Sequence, residues 1–331
     1  MNSEQTHTEP DGVYMRSTTF RILQQCIGGL GGKETYLGTA GSCRYCGTTD
    51  RQKFKKRAHT VAEGLGNKWI FSLDECDDCN HLFSRYETAL TASVGAFLTL
   101  GGVKGKKNKV RQTGRSAGPT YVEHANREGR RSLSTMINGL DPKVGWNPST
   151  GEMRFTFPIA NEKFRPFEAH KAVLKIGYAL LPDDERGQYE TIRRALLEPA
   201  AQVGNGPHPV GLSFAMVGNS PAYVSATLAR RCDERLPRTL VVVTAGSLCL
   251  VTQLRSDAEE DPAIPLHKIN FQWTTHLGSE KSADVISFRY SEPTYFDWSP
   301  SDTIVQPIES MTLDFDPRTT IGSFTPTFRE A

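Results

Sequence analysis

Cys43-Arg44-Tyr45-Cys46 and, further on, Cys76-Asp77-Asp78-Cys79-Asn80 are the two stretches on which the reading of this chain turns. Each C-x-x-C turn presents two thiolates from one tight bend. Two such turns can close a tetrahedron of sulfur around Zn²⁺ at ~2.3 Å per bond. The competing reading is four free cysteines in a small core. Residues 47–75, between the pairs, form a segment longer than the ~15–20 residues of a simple zinc ribbon, so something is inserted between the halves of the site. Cys26, Cys232 and Cys249 stand alone. Residues 1–12 are polar, with no charged-then-apolar leader, so a reducing, cytoplasmic setting is expected, where paired cysteines serve metals rather than disulfides.

Outward from these pairs the chain divides by composition. A length of 331 residues allows about two domains. Hydrophobic residues at 37% and charged residues at 23% exclude wholesale disorder, and a net charge of +2 neither demands nor forbids a nucleic-acid partner. The longest nearly apolar run, Leu240 to Val251, falls short of the ~20 residues of a membrane span and reads as a buried strand pair. Residues 1–33 are polar and then glycine-rich, which predicts a flexible lead-in. Residues 34–100 hold the cysteine pairs, and Leu82, Phe83, Tyr86 and Leu90 recur at helical spacing over 77–90. Residues 101–116 are rich in glycine and basic side chains and predict a flexible basic linker. Residues 117–331 read as an α+β domain with a mostly antiparallel sheet. Its predicted strands lie near 153–157, 211–217, 222–228, 239–254, 268–273 and 284–290. Its helices lie near 166–181, opened by Pro166, and 183–197, and the tail from Ser291 wraps the surface.

The insert and the second pair carry a resemblance. A C-x-x-C, then His59 followed by a Leu65-Gly66 turn, then Cys76-x-x-Cys79-Asn80-x-x-Phe83-Ser84-x-x-Glu87 resembles the HNH endonuclease superfamily. The similar branch has paired zinc knuckles and C-x-x-C-N at the helix start, and the likeness covers about residues 43–90. It implies a small zinc-stabilised ββα-metal domain, in which a hairpin carries the catalytic His and a helix supplies a metal ligand. Carried over by position, His59 is the general base that activates water against a phosphodiester; its ordinary pKa of ~6.5 leaves it able to accept a proton near neutrality. Asn80 and Glu87 are ligands of a catalytic Mg²⁺ or Mn²⁺, two helical turns apart on one face with Ser84 between them. The zinc of Cys43, Cys46, Cys76 and Cys79 holds the scaffold.

The sequence departs from the family pattern at Ala58, where many relatives carry Asp or Glu before the active His. That removes one carboxylate, leaving Glu87 or Glu63 to compensate. Asn67 is the candidate for the middle Asn, in a turn where Asn is common for local reasons. Asn80 as a helix cap, Glu87 as a solvated face and His81 in place of Asn80 are the competing readings. His124, His170, His208, His267 and His276 lack metal-ligand spacing and read as structural.

Lys53, Lys55, Lys56 and Arg57 precede His59, and Lys104, Lys106, Lys107, Lys109, Arg111 and Arg115 follow the helix. Beside an HNH-like core they predict phosphate contacts to DNA, which are sequence-independent and salt-sensitive. The resulting expectation is an HNH endonuclease cutting DNA, in a setting such as prokaryotic restriction or anti-phage defence, with no membrane partner. The alternatives are a non-catalytic zinc module for nucleic acid or protein, and a nuclease controlled by a small ligand or protein partner through residues 117–331.

Overall fold

The computed structural model describes residues 12–15, 19–29, 33–105, 107–112, 121–127, 130–136, 144–146, 149, 151, 153–159, 162–201, 203, 207–215, 223–258, 266, 274–278, 286–316 and 321–329. The helices α1 (Asp77–Ser93), α2 (Gly95–Leu100), α3 (Pro166–Ala179) and α4 (Glu190–Leu197) stand against mostly antiparallel sheets, giving a mixed α+β architecture. The apolar run at 240–251 folds as two neighbouring strands, Thr239–Ala245 and Leu248–Gln253, and every residue of both is buried. Covering on both faces is what makes such strands read as continuous apolar runs.

These two strands sit at the middle of a six-stranded sheet. Its order is Thr294–Asp297, Pro209–Phe214, Leu248–Gln253, Thr239–Ala245, Val224–Arg231 and Phe20–Gly28, with every neighbour antiparallel. The two edges correct two expectations. Residues 20–28, read as part of a lead-in, form one edge strand and bury Phe20, Cys26 and Gly28. The apolar residues Ile22, Leu23, Cys26 and Ile27 break strict alternation, and the glycines that follow disguise the strand. The tail from Ser291, read as a surface wrap, supplies the other edge. It also supplies Ile308–Asp316 and Ile321–Phe328, which pair with each other in a second, four-stranded sheet. The strand expected at 268–273 lies outside the described residues, as do His267, Lys106, Arg115 and most of the lead-in.

Helix α3 opens on Pro166 at its first turn, as its fixed φ favours, and all its residues are buried. Gly177 lets it approach the sheet: a Cβ there would lie 2.3 Å from Val241 Cγ2. The opposite side of α3 packs on α1, so α3 is the middle layer between the large sheet and the cysteine segment. In that segment Thr35–Leu37 runs parallel to Ile70–Ser72, which pairs antiparallel with Ala58–His59, and α1 follows directly. One continuous apolar core joins Tyr45, Phe83 and Tyr86 of this segment to Val173, Leu174 and Val241. The expected boundary at 101–116 therefore marks a change of composition, with no break in the core.

The described part of the basic stretch, 101–105 and 107–112, is more ordered than a flexible linker. Lys104 and Val110 form a bridge, the Gly105 amide donates to the Lys109 carbonyl, and Arg111 pairs with Glu162 while donating to the Thr91 carbonyl. Among the described residues no helix is long and apolar enough to cross a membrane.

Candidate metal centre and adjoining pocket

The two cysteine pairs meet. The four Sγ atoms of Cys43, Cys46, Cys76 and Cys79 all lie within 4.8 Å of one another. Cys43 and Cys79 are 3.8 Å apart, and Cys46 and Cys76 are 3.6 Å apart. A regular tetrahedron with ~2.3 Å arms has edges of about 3.8 Å, whereas a disulfide needs about 2.05 Å. The spacing thus fits a metal ion such as zinc. Local geometry explains how: the Gly47 amide donates back to the Cys43 carbonyl at a φ of 75°, tightening the first turn, and Cys76 caps α1 so that Cys79 falls in its first turn. Four sulfurs this close resist joint ionisation. Cys79's hydrogen bond draws the Cys43 thiol down to about 4, while burial pushes Cys76 up to about 11, and the bond to Cys43 together with burial pushes Cys79 up as well. A dication removes that conflict by letting every sulfur ligate as thiolate.

The first turn is bolted to the body. Arg44, buried, pairs with Asp74 at 2.7 Å and donates to the carbonyls of Tyr178 and Ala179 at the end of α3. Tyr45 is fully buried against Phe83 and Tyr178, and its hydroxyl donates to the Lys175 carbonyl.

Next to the sulfurs is a pocket of about 220 Å³ lined by Lys56, His59, Glu63, Asn80, His81, Ser84 and Glu87. Helix periodicity builds one wall. Asn80, Ser84 and Glu87 share a face of α1, while Cys79, Phe83, Tyr86 and Leu90 are buried on the other. The Ala58–His59 strand builds the facing wall. Ala58 points into the core and His59, half-buried, turns its ring toward Phe71 across the strand pair, 4.9 Å between centroids. Burial lowers the His59 pKa, so the imidazole is neutral near pH 7 with a lone pair available.

The structure thus brings His59, Asn80, His81 and Glu87 to one pocket and adds Glu63 and Lys56. Glu63 is paired with Lys68. Glu87 is partly committed: its Oε1 lies 3.2 Å from the buried Lys175 ammonium. Apart from the four cysteines, no three His, Cys, Asp or Glu ligand atoms converge among the described residues.

Asn67 does more than occupy a turn. It is fully buried, its amide donates to the carbonyls of Val61 and Ile70, and its oxygen accepts from the amides of Trp69 and Ile70. One side chain therefore closes the loop between the two strands and fixes where His59 sits. Lys175 on α3, buried beside the pocket, belongs to none of the sequence motifs. Its signal was a lysine inside the apolar stretch Ala172-Val173-Leu174-Lys175-Ile176-Gly177-Tyr178.

The basic residues divide. Lys56 lines the pocket, and the backbone amides of Lys55 and Lys56 donate to the Asp77 carboxylate, tying this stretch to the start of α1. Lys55, Lys104, Lys107 and Lys109 are exposed. Arg57 is paired with Glu34 at 2.7 Å and stacks over Phe71 at 3.9 Å, so its charge is already answered within the chain; Arg111 is likewise held by Glu162. His170 and His208, expected to be structural, are buried and stacked 4.9 Å apart.

No family model matches this chain, and no curated protein or solved structure shows a match to it.

Proposed function

We propose that this protein is a metal-dependent HNH-type endonuclease that hydrolyses DNA phosphodiesters, with a structural zinc in the four-cysteine cluster. The observation that carries the reading is the pocket in which a neutral, half-buried His59 on a strand faces Asn80 and Glu87 on the helix that Cys76 caps and that carries Cys79 in its first turn. An antiparallel strand pair followed by a helix supports the ββα-metal resemblance. His59 takes the proton from the attacking water, and Asn67, by locking the loop, keeps it aimed. Lys56 meets the phosphate at the pocket rim. A divalent ion such as Mg²⁺ or Mn²⁺, held by the Asn80 oxygen and the part of Glu87 that Lys175 leaves free, would stabilise charge on the phosphate and on the leaving 3′ oxygen. Mg²⁺ keeps several waters and is commonly held by one or two protein ligands plus substrate phosphate, so so small a protein set fits it. A cytoplasmic role in prokaryotic restriction or anti-phage defence goes with this reading.

A second reading, a non-catalytic zinc module that binds nucleic acid or protein, draws support from Ala58 and from the Lys175 pairing of Glu87, which both subtract carboxylate from the pocket. The experiment that separates them is plasmid nicking with Mg²⁺ or Mn²⁺ by wild type and Asn80→Ala. The nuclease reading expects nicking by wild type and a loss in Asn80→Ala that excess Mn²⁺ partly restores. Binding without cleavage under every metal and DNA form supports the module instead.

A further inference from the structure

Helix α3 carries two buried lysines, and they do different things. Lys171 donates to the carbonyls of Glu198 and Pro199 and lies over the rings of Tyr86 and Phe167, so it closes the end of α4. Lys175 reaches the other way, into the layer below. Its ammonium donates to the His59 carbonyl, lies 3.5 Å from the Thr60 carbonyl, and pairs with Glu75 at 3.1 Å and Glu87 at 3.2 Å. Only 1% of its side chain is exposed, and none of Glu75's. An ammonium taken out of water is costly unless it is paired and hydrogen-bonded, and an apolar side chain of similar length would fill the same space without that cost. Packing alone therefore gives no reason for a lysine here. The partners do: Glu75 precedes the cluster sulfur of Cys76, Glu87 lines the pocket, and His59 is the facing side chain.

We infer that Lys175 is a positioning residue through which the α+β body fixes the His59 strand against α1, setting the distance between His59 and the Asn80–Glu87 face. The inference rests on the nuclease reading of the pocket for its effect on rate, though its effect on His59 itself is independent of that reading. A site this short of its own carboxylates takes a structural member from residue 175, far outside the motif. Displacing a catalytic group by ~1 Å can cost about 10²-fold in rate, so one strut is enough to matter.

The test uses the full chain with zinc bound, comparing wild type, Lys175→Met and Lys175→Arg. Zinc per chain and near-ultraviolet circular dichroism report folding, cleavage kinetics report function, and the ¹⁵N resonances of the His59 imidazole report geometry. The groups that set the charge around His59 are Glu63 and Glu87 on one side and Lys175 and Lys68 on the other. Lys175→Met is expected to keep zinc, to lower kcat roughly 10–100-fold with KM unchanged, and to move the His59 resonances. Lys175→Arg is expected to recover part of the kcat. If Lys175→Met does not fold, Lys175→Gln takes its place with the same expectation. Wild-type kcat, or unmoved His59 resonances, in a folded variant overturns the inference, and so does failure of both neutral variants to fold, which makes Lys175 a residue of the fold alone. If wild type cuts nothing while the His59 resonances move in Lys175→Met, the nuclease reading fails and the positioning role stands.

Discussion

The sulfur cluster and the pocket share helix α1, and they differ in what completes them. Three of the four sulfurs are buried and all four converge from two short turns, each of which brings its own pair. The pocket draws on more of the chain: His59 from a two-residue strand, Asn80 and Glu87 from α1, Asn67 from the loop that holds the strands, and Lys175 from α3. The cluster takes its four metal-facing atoms from two local turns, though Arg44 and Tyr45 of the first turn lean on α3. A pocket made of long-range contacts depends on the whole body being folded around it.

The largest effect should separate the two at their root. Cys76→Ser is expected to abolish stoichiometric zinc and, since structural zinc is worth ~10–16 kcal/mol in finger peptides, to unfold the cysteine segment. Because Tyr45 and Arg44 join that segment to α3, the loss should also lower the thermal midpoint of the whole chain. Metal analysis and a melting curve check this, and a variant with unchanged zinc and midpoint would show that the cluster does not organise the fold.

Asn67→Ala comes next. It removes four hydrogen bonds, three of them buried, and leaves backbone groups without partners, which should cost about 3 kcal/mol in chemical denaturation. Zinc content should hold while cleavage falls, since the loop it closes positions His59 and not the sulfurs. A loss of zinc would mean that cluster and pocket are one unit.

Acid should act on the α+β body before it acts on the sulfurs of the cluster. Burial holds the His170 pKa well below its ordinary value of 6.5, so the unfolded chain binds a proton there that the folded chain refuses. The stability this contributes is full above about pH 6.5 and falls as the pH drops toward the folded value, by at most ~1.4 kcal/mol per pH unit. His170→Gln should flatten that slope in denaturation curves between pH 6.5 and 5; an unchanged slope assigns the acid sensitivity elsewhere.

The smallest effect belongs to the lysines of the basic stretch at 104–109. Neutralising Lys104, Lys106, Lys107 and Lys109 together should leave stability unchanged and weaken DNA binding, each lost phosphate contact flattening the log-affinity against log-salt slope by about 0.9. Arg57→Gln should change that slope less than one such lysine, because Glu34 already answers its charge.

The same contrast explains what could be read in advance. Cysteine spacing announces a local tetrahedron, and the helix from Asp77 with its polar Asn80, Ser84 and Glu87 face follows from periodicity over one element. So do the α+β class, the Pro166 helix and the 239–254 strand pair. Residues 20–28 and 294–297 were legible only as polar or irregular segments, because an edge strand is defined by the sheet it joins. Asn67 reads as a turn residue because its bonds to Trp69 and Ile70, two and three residues on, are those of a turn; only the bond to the Val61 carbonyl, six residues back, ties that turn to the His59 strand. Lys175 was invisible as a site residue because what makes it one is a packing of α3 on α1 that no local pattern encodes.

If His59 is the base of a metal-dependent nuclease, the single-turnover cleavage rate of wild type and His59→Ala on DNA with Mg²⁺ or Mn²⁺ will show it. Both proteins should be matched in zinc content and melting midpoint. His59→Ala is expected to lose ~10²–10⁴-fold in rate, and added metal should not restore it. A His59→Ala protein that cuts at the wild-type rate would contradict that role.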